Sequence, residues 1–108
     1  MANSHHHKQR TLELQEAAAT FVGSISNRTS LITITRSVLA PHEDRVTFYV
    51  SVFPEDAEGP AIGFLMRKRT ECKEYLKNTI RNGKIPHVEF VLDEGEKKRQ
   101  RVDELLRG

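Results

Sequence analysis

The segment Leu31-Ile-Thr-Ile-Thr-Arg-Ser-Val-Leu39, the cluster Ala40-Pro-His-Glu-Asp44 and the segment Arg45-Val-Thr-Phe-Tyr-Val-Ser-Val-Phe53 read as two strands joined by a turn. The first run is rich in β-branched residues. In the second, Val46, Phe48, Val50 and Val52 alternate with Thr47, Tyr49 and Ser51, so the even positions are expected to face a core. Pro41 presets φ in the connection, and a connection this short predicts an antiparallel hairpin.

Upstream, Leu14, Ala17, Ala18, Phe21, Val22 and Ile25 fall on one helical face, which predicts a helix from about Thr11 to Ile25. Ser26 to Ser30 reads as a turn. Met1 to Arg10 lacks apolar periodicity and is expected to be a disordered polar arm. Within it, His5, His6 and His7 could touch a metal or RNA, but a solvated tail is the plainer reading, because metal ligands need a fold to fix them.

Downstream, an acidic loop from Pro54 to Gly59 precedes a helical region from Pro60 to about Asn82. Ile62, Leu65 and Met66 form one apolar patch, and Cys72, Tyr75, Leu76, Thr79 and Ile80 form another. Arg67-Lys-Arg-Thr70 between them offers no core residue, which favours two helices with a bend near Arg69 and Thr70. Gly83 is expected to cap the second helix. Pro86 precedes a third strand, His87 to Leu92, with Val88, Phe90 and Leu92 on one face. Glu94 to Gly108 is a charged segment in which Val102, Leu105 and Leu106 suggest a short docked helix.

The order helix, strand, strand, helix, helix, strand describes an α+β domain: a three-stranded sheet with helices packed on one face. It matches the type II KH arrangement, an RNA-binding architecture. The expected division is an arm over 1–10, a KH-like domain over 11–93 and a charged C-terminal segment over 94–108. At 108 residues there is room for one domain. Cys72 is the only cysteine, which excludes an intramolecular disulfide and suits a reducing compartment. The apolar run Ala17 to Val22 is too short to span a bilayer or to act as a secretory core. These features predict a cytosolic protein.

Net charge is only +2 with 30% charged residues, so the placement of charge matters more than its sum. Arg67, Lys68, Arg69, Lys73, Lys77, Arg81 and Lys84 are opposed only by Glu71 and Glu74. Lys73, Lys77 and Arg81 recur at i, i+4 and i+8, so they are expected to share one helical face. A cationic stripe leading from a bend suits phosphate binding, although a merely solvated helix face would look the same. Lys97, Lys98, Arg99 and Arg101 form a second cluster, largely cancelled by neighbouring carboxylates. Arg28 and Arg36 are isolated candidates for RNA contact. Tyr49 could stack on a base, but its place in a strand beside a hairpin partner makes ordinary packing the plainer reading. No catalytic constellation emerges. Cys72 lies in the apolar stripe, nothing links it to His42 or His87, Asp93-Glu94 simply ends a strand, and no phosphate-binding glycine loop is present.

Three blocks carry a family resemblance: the hairpin Ser30 to Phe53, Ile85-Pro-His-Val-Glu-Phe-Val-Leu-Asp93, and Arg101-Val-Asp-Glu-Leu-Leu106. In order and spacing they resemble the ribosome-binding factor A family, over about residues 11 to 106. One departure is clear. Family members commonly carry a small-residue motif with Ala and Gly between the paired helices, and this chain has Lys68-Arg-Thr70 there. The resemblance implies a monomeric, non-enzymatic assembly factor without a cofactor. It would bind the small ribosomal subunit and its rRNA late in maturation and assist processing of the precursor's 5′ end. It would support growth in the cold and leave when a ribosome-associated GTPase acts. Two other classes stay open on the residues alone: a general KH-like RNA-binding module, and a protein-interaction domain docking on an acidic partner. Salt and nuclease sensitivity separate them.

Overall fold

The structure is a computed structural model that describes residues 3–26, 30–81 and 83–107. Its elements run α1 (Asn3–Ile25), β1 (Leu31–Leu39), β2 (Arg45–Phe53), a 3₁₀ turn (Glu55–Ala57), α2 (Glu58–Arg67), α3 (Arg69–Thr79), β3 (His87–Leu92) and α4 (Glu94–Arg107). β2 is the central strand, antiparallel to β1 and parallel to β3. A parallel pair needs a crossover, and α2 and α3 supply it. The result is the α+β, KH-like order expected from the sequence.

The inward positions of β2 are the even ones: Val46, Phe48 and Val50 are fully buried. Val88 and Phe90 join them from β3, and the rings of Phe48 and Phe90 lie 5.8 Å apart. Leu14, Ala18, Phe21 and Val22 of α1 pack on this layer together with Leu65, Cys72 and Leu76 from the helix pair. Phe21, Leu76 and Val88, also expected in the core, are buried, while Ile25, Ile62, Met66, Tyr75 and Leu92 are half-buried at its margin.

β1 holds a feature its composition hides. Ile34 pairs with Val50, but Arg36 pairs with Tyr49, so Thr35 forms a bulge. A bulge reverses the inward phase of a strand. Ile32 is buried before it and Leu39 after it, while Ser37 turns inward to bond Gln15 of α1 at 2.7 Å.

Several boundaries differ from expectation. α1 starts at Asn3 rather than near Thr11, so the polar residues described there are helical. His7 and Arg10 lie two turns and one turn before Leu14, on the same face, and both bond the body of the domain. α3 ends at Thr79 rather than Asn82, with Ile80 extended at ψ 116°. Gly83 therefore sits in a loop, at φ +83°, rather than capping the helix. Thr79 is exposed and adds nothing to the core. α4 is helical, but its apolar stripe is not docked: Val102, Leu105 and Leu106 are exposed. Ion pairs hold its first turns instead, with Lys97 3.0 Å from both Glu55 and Glu58, and Arg101 against Glu55. The Ser26 to Ser30 turn falls mostly outside the described residues, and Arg28 lies there too.

Candidate nucleic-acid interface

The bend between α2 and α3 falls at Lys68, whose φ and ψ are −95° and 4°. No small residue makes this bend. Arg69 secures it: Nε donates to the Met66 carbonyl at 3.1 Å, relieving one of the open acceptors at the end of α2. Its Nη1 donates to both oxygens of Glu89 on β3, at 3.0 and 3.2 Å. The guanidinium thus pins the bend to the sheet at a place that has no small residue.

That role changes the reading of the basic run. Arg69 is already committed to Glu89 and the Met66 carbonyl, so phosphate would have to displace a paired carboxylate. Lys68 lies 3.2 Å from Glu71 and 5.6 Å from the centre of the Phe64 ring. Lys77 lies 3.4 Å from Glu74. These two pairs join residues three apart on an exposed helix and hold loosely. Arg67, Lys73, Arg81 and Lys84 have no carboxylate within 4.0 Å among the described residues. Arg81 lies beyond the end of α3, so the expected single face of Lys73, Lys77 and Arg81 is not built.

Arg36 is not isolated. Its guanidinium carbon sits 3.7 Å over the Tyr49 ring, and Nε lies 3.5 Å from Asp93. Tyr49 is therefore covered by an arginine on the sheet face opposite the helices. Asp93 is buried and well satisfied. Thr35 Oγ1 donates to Oδ2 at 2.5 Å, and the Glu96 N–H donates to Oδ1 at 3.0 Å, which caps α4. These bonds, Thr35's first and the Glu96 N–H next, hold the Asp93 carboxyl below its usual value, with Arg36 adding to them. The bulged Thr35 thus joins β1 to the start of α4.

Sequence reasoning missed Arg10, which is 8% exposed. Its Nη2 donates to the Lys84 carbonyl at 3.0 Å. The signal was there: Arg10 lies four residues before Leu14, so extending the helical period upstream puts it on the buried face. His7, expected in a solvated tail, lies with Nε2 3.0 Å from the Leu39 carbonyl and Nδ1 3.3 Å from Glu43.

Cys72 is fully buried, and burial pushes its thiol up to about 12, so it stays protonated at neutral pH. Among the described residues, no three His, Cys, Asp or Glu side chains could hold a metal ion. No helix described is long and apolar enough to cross a membrane.

Comparison with known proteins gives one coherent picture. A ribosome-binding factor A from Anaeromyxobacter sp. strain Fw109-5 is 32% identical over 80 residues. The match covers 73% of this chain and 66% of that protein, a little under two thirds of its length. The crystal structure of ribosome-binding factor A from Thermus thermophilus superposes with a TM-score of 0.70 at 22% identity, over 79% of this chain and 92% of that one. A homology model of the Thermus thermophilus factor, fitted into the electron cryo-microscopy map of its complex with 30S, gives 0.67 at 21% identity over the same shares. At those identities the structural likenesses speak for the fold. No family model matches the chain.

Proposed function

Because this chain belongs to the ribosome-binding factor A family, we propose that it binds the small (30S) ribosomal subunit and its rRNA late in maturation. It assists processing of the precursor's 5′ end there, in the cytosol, and departs through a ribosome-associated GTPase. It acts by binding, without a chemical step of its own. The observation that carries this reading is its kinship with a protein named for ribosome binding, supported by a relative fitted into a complex with 30S.

Arg67, Lys73, Arg81 and Lys84 grip phosphates, because they carry no competing carboxylate among the described residues. Lys68 and Lys77 contribute little, because each already leans on an exposed glutamate that phosphate would have to displace. Arg69 positions the bend. Each neutralised phosphate releases condensed counterions, so four contacts give a log–log salt slope of about −3.

The test is co-sedimentation of the protein with purified small subunits, large subunits and whole ribosomes over a salt series. Selective migration with small subunits, strongest for immature particles, is the expected result. Equal binding to all particles would leave a general RNA binder. Binding that survives nuclease treatment and is indifferent to rRNA would point to an acidic protein partner.

A further inference from the structure

We propose that the cleft between the first turns of α1, the β1–β2 turn and the loop entering β3 is a site for one unpaired ribonucleotide. This rests on the RNA-binding reading above and deepens it. The cleft has a volume of about 680 Å³, within the usual range for a small-molecule site.

Its walls are tied to one another. His7 links α1 to the turn through Leu39 and Glu43. The His87 N–H donates to the Asp44 carbonyl at 3.0 Å, linking the turn to β3. Arg10 holds the Lys84 carbonyl from beneath the loop. Gly83 makes that approach possible, since a Cβ there would meet Arg10 Nη2 at 3.1 Å and the backbone is at φ +83°. A cleft fixed before its ligand arrives loses less freedom on binding.

The groups left over define the ligand. Lys73 and Lys84 line the cleft, and neither has a carboxylate partner among the described residues. Three imidazoles, His6, His42 and His87, line it as well. They offer ring faces and N–H donors to a base. Glu13 and Asp44 are the remaining acceptors, because Glu43 is engaged by His7. Two carboxylates beside two lysines disfavour a bare anion. They suit a ligand with a phosphate at one end and hydroxyl or amino donors at the other. A nucleotide has that pattern, and its ribose 2′-hydroxyl gives a carboxylate something to accept that DNA lacks. The base must be unpaired, because stacking in a duplex leaves no base face free, and a wide, shallow minor groove does not enter such a recess.

The experiment is a backbone-amide NMR titration of the full chain with a mixed-sequence single-stranded oligoribonucleotide, its deoxy counterpart and inorganic phosphate. We expect saturable shifts at His42, Lys84, Ile85 and His87. We expect the deoxy strand to bind about tenfold more weakly, the value of one hydrogen bond to a charged acceptor. Inorganic phosphate should leave these amides unmoved at equal concentration. Lys73→Glu with Lys84→Glu should weaken RNA binding at least about tenfold, and the milder Lys84→Gln should weaken it less. Both should melt like the parent. Equal affinity for RNA and DNA, phosphate shifting the same amides as strongly, or unchanged binding by the double variant would each overturn the proposal. Co-sedimentation with small subunits separates the two levels. If the parent protein sediments with the subunit while RNA leaves the cleft unperturbed, only the cleft assignment fails. If it does not sediment, the functional reading itself fails.

Discussion

The bend at Lys68 and the cleft beside Lys84 are both basic in sequence, yet their cations differ in kind. At the bend, Arg69 is fixed to Glu89 and to the Met66 carbonyl, and Lys68 leans on Glu71. At the cleft, Lys73 and Lys84 have no carboxylate partner among the described residues, while the buried Arg10 braces the loop that carries one of them. The lesson is that a run of basic residues marks a surface without marking a site. What separates structural cations from binding cations is whether a carboxylate already holds them, and that depends on tertiary placement.

Arg10 offers the largest way to sharpen the contrast. Arg10→Ala strips the Lys84 carbonyl of its donor and leaves a void under Gly83. We expect a loss of about 2–4 kcal/mol in urea denaturation, together with weaker RNA binding. A stable variant would mean that the cleft wall is not braced as described.

Asp93→Ala comes next. It removes the cap of α4 and the partner of the bulged Thr35, and we expect a loss of about 1–3 kcal/mol. The same carboxyl gives a pH signature. Its folded pKa is lowered, so on acidification the unfolded chain takes up the proton first. Its contribution is complete above about pH 5 and is lost as the pH falls through about 3.9 toward the folded value. Denaturation midpoints measured from pH 6 down to 3 should fall more steeply for the parent than for Asp93→Ala.

Arg69→Ala should have a smaller effect. Its side chain is 40% exposed, so solvent screens the pair with Glu89, and the loss should be about 1 kcal/mol or less. Lys73→Ala should change stability by no more than about 0.5 kcal/mol. Equal stability losses at Arg69 and Lys73 would erase the distinction between bend and cleft. The smallest expected effect is at Cys72, whose buried, protonated thiol should resist alkylation in the native protein and react only as the chain unfolds. Rapid labelling under native conditions would contradict the packing of α3.

Most of the fold could be read from the sequence, because period-two and period-3.6 patterns report burial directly. The even residues of β2 and the α1 stripe behaved accordingly. Three features escaped for physical reasons. The Thr35 bulge depends on strand pairing, which no local pattern encodes. The helical start of α1 is fixed by bonds from His7 and Arg10 to residues more than thirty positions away. The stripe of α4 looked like a docking face, yet its helix is held by charges at its other end. The candidate site was read as a charge run from Arg67 to Lys84. The neutralising Glu89 was invisible because it lies twenty residues from Arg69.

The most direct test of the central claim compares two charge-reversed proteins for affinity to purified small subunits at one moderate salt concentration. One carries Lys73→Glu and Lys84→Glu, the other Lys68→Glu and Lys77→Glu. We predict that the first loses at least about tenfold in affinity and shows a shallower salt slope, while the second loses less than about threefold. Equal losses, or the larger loss from the second protein, would contradict the account.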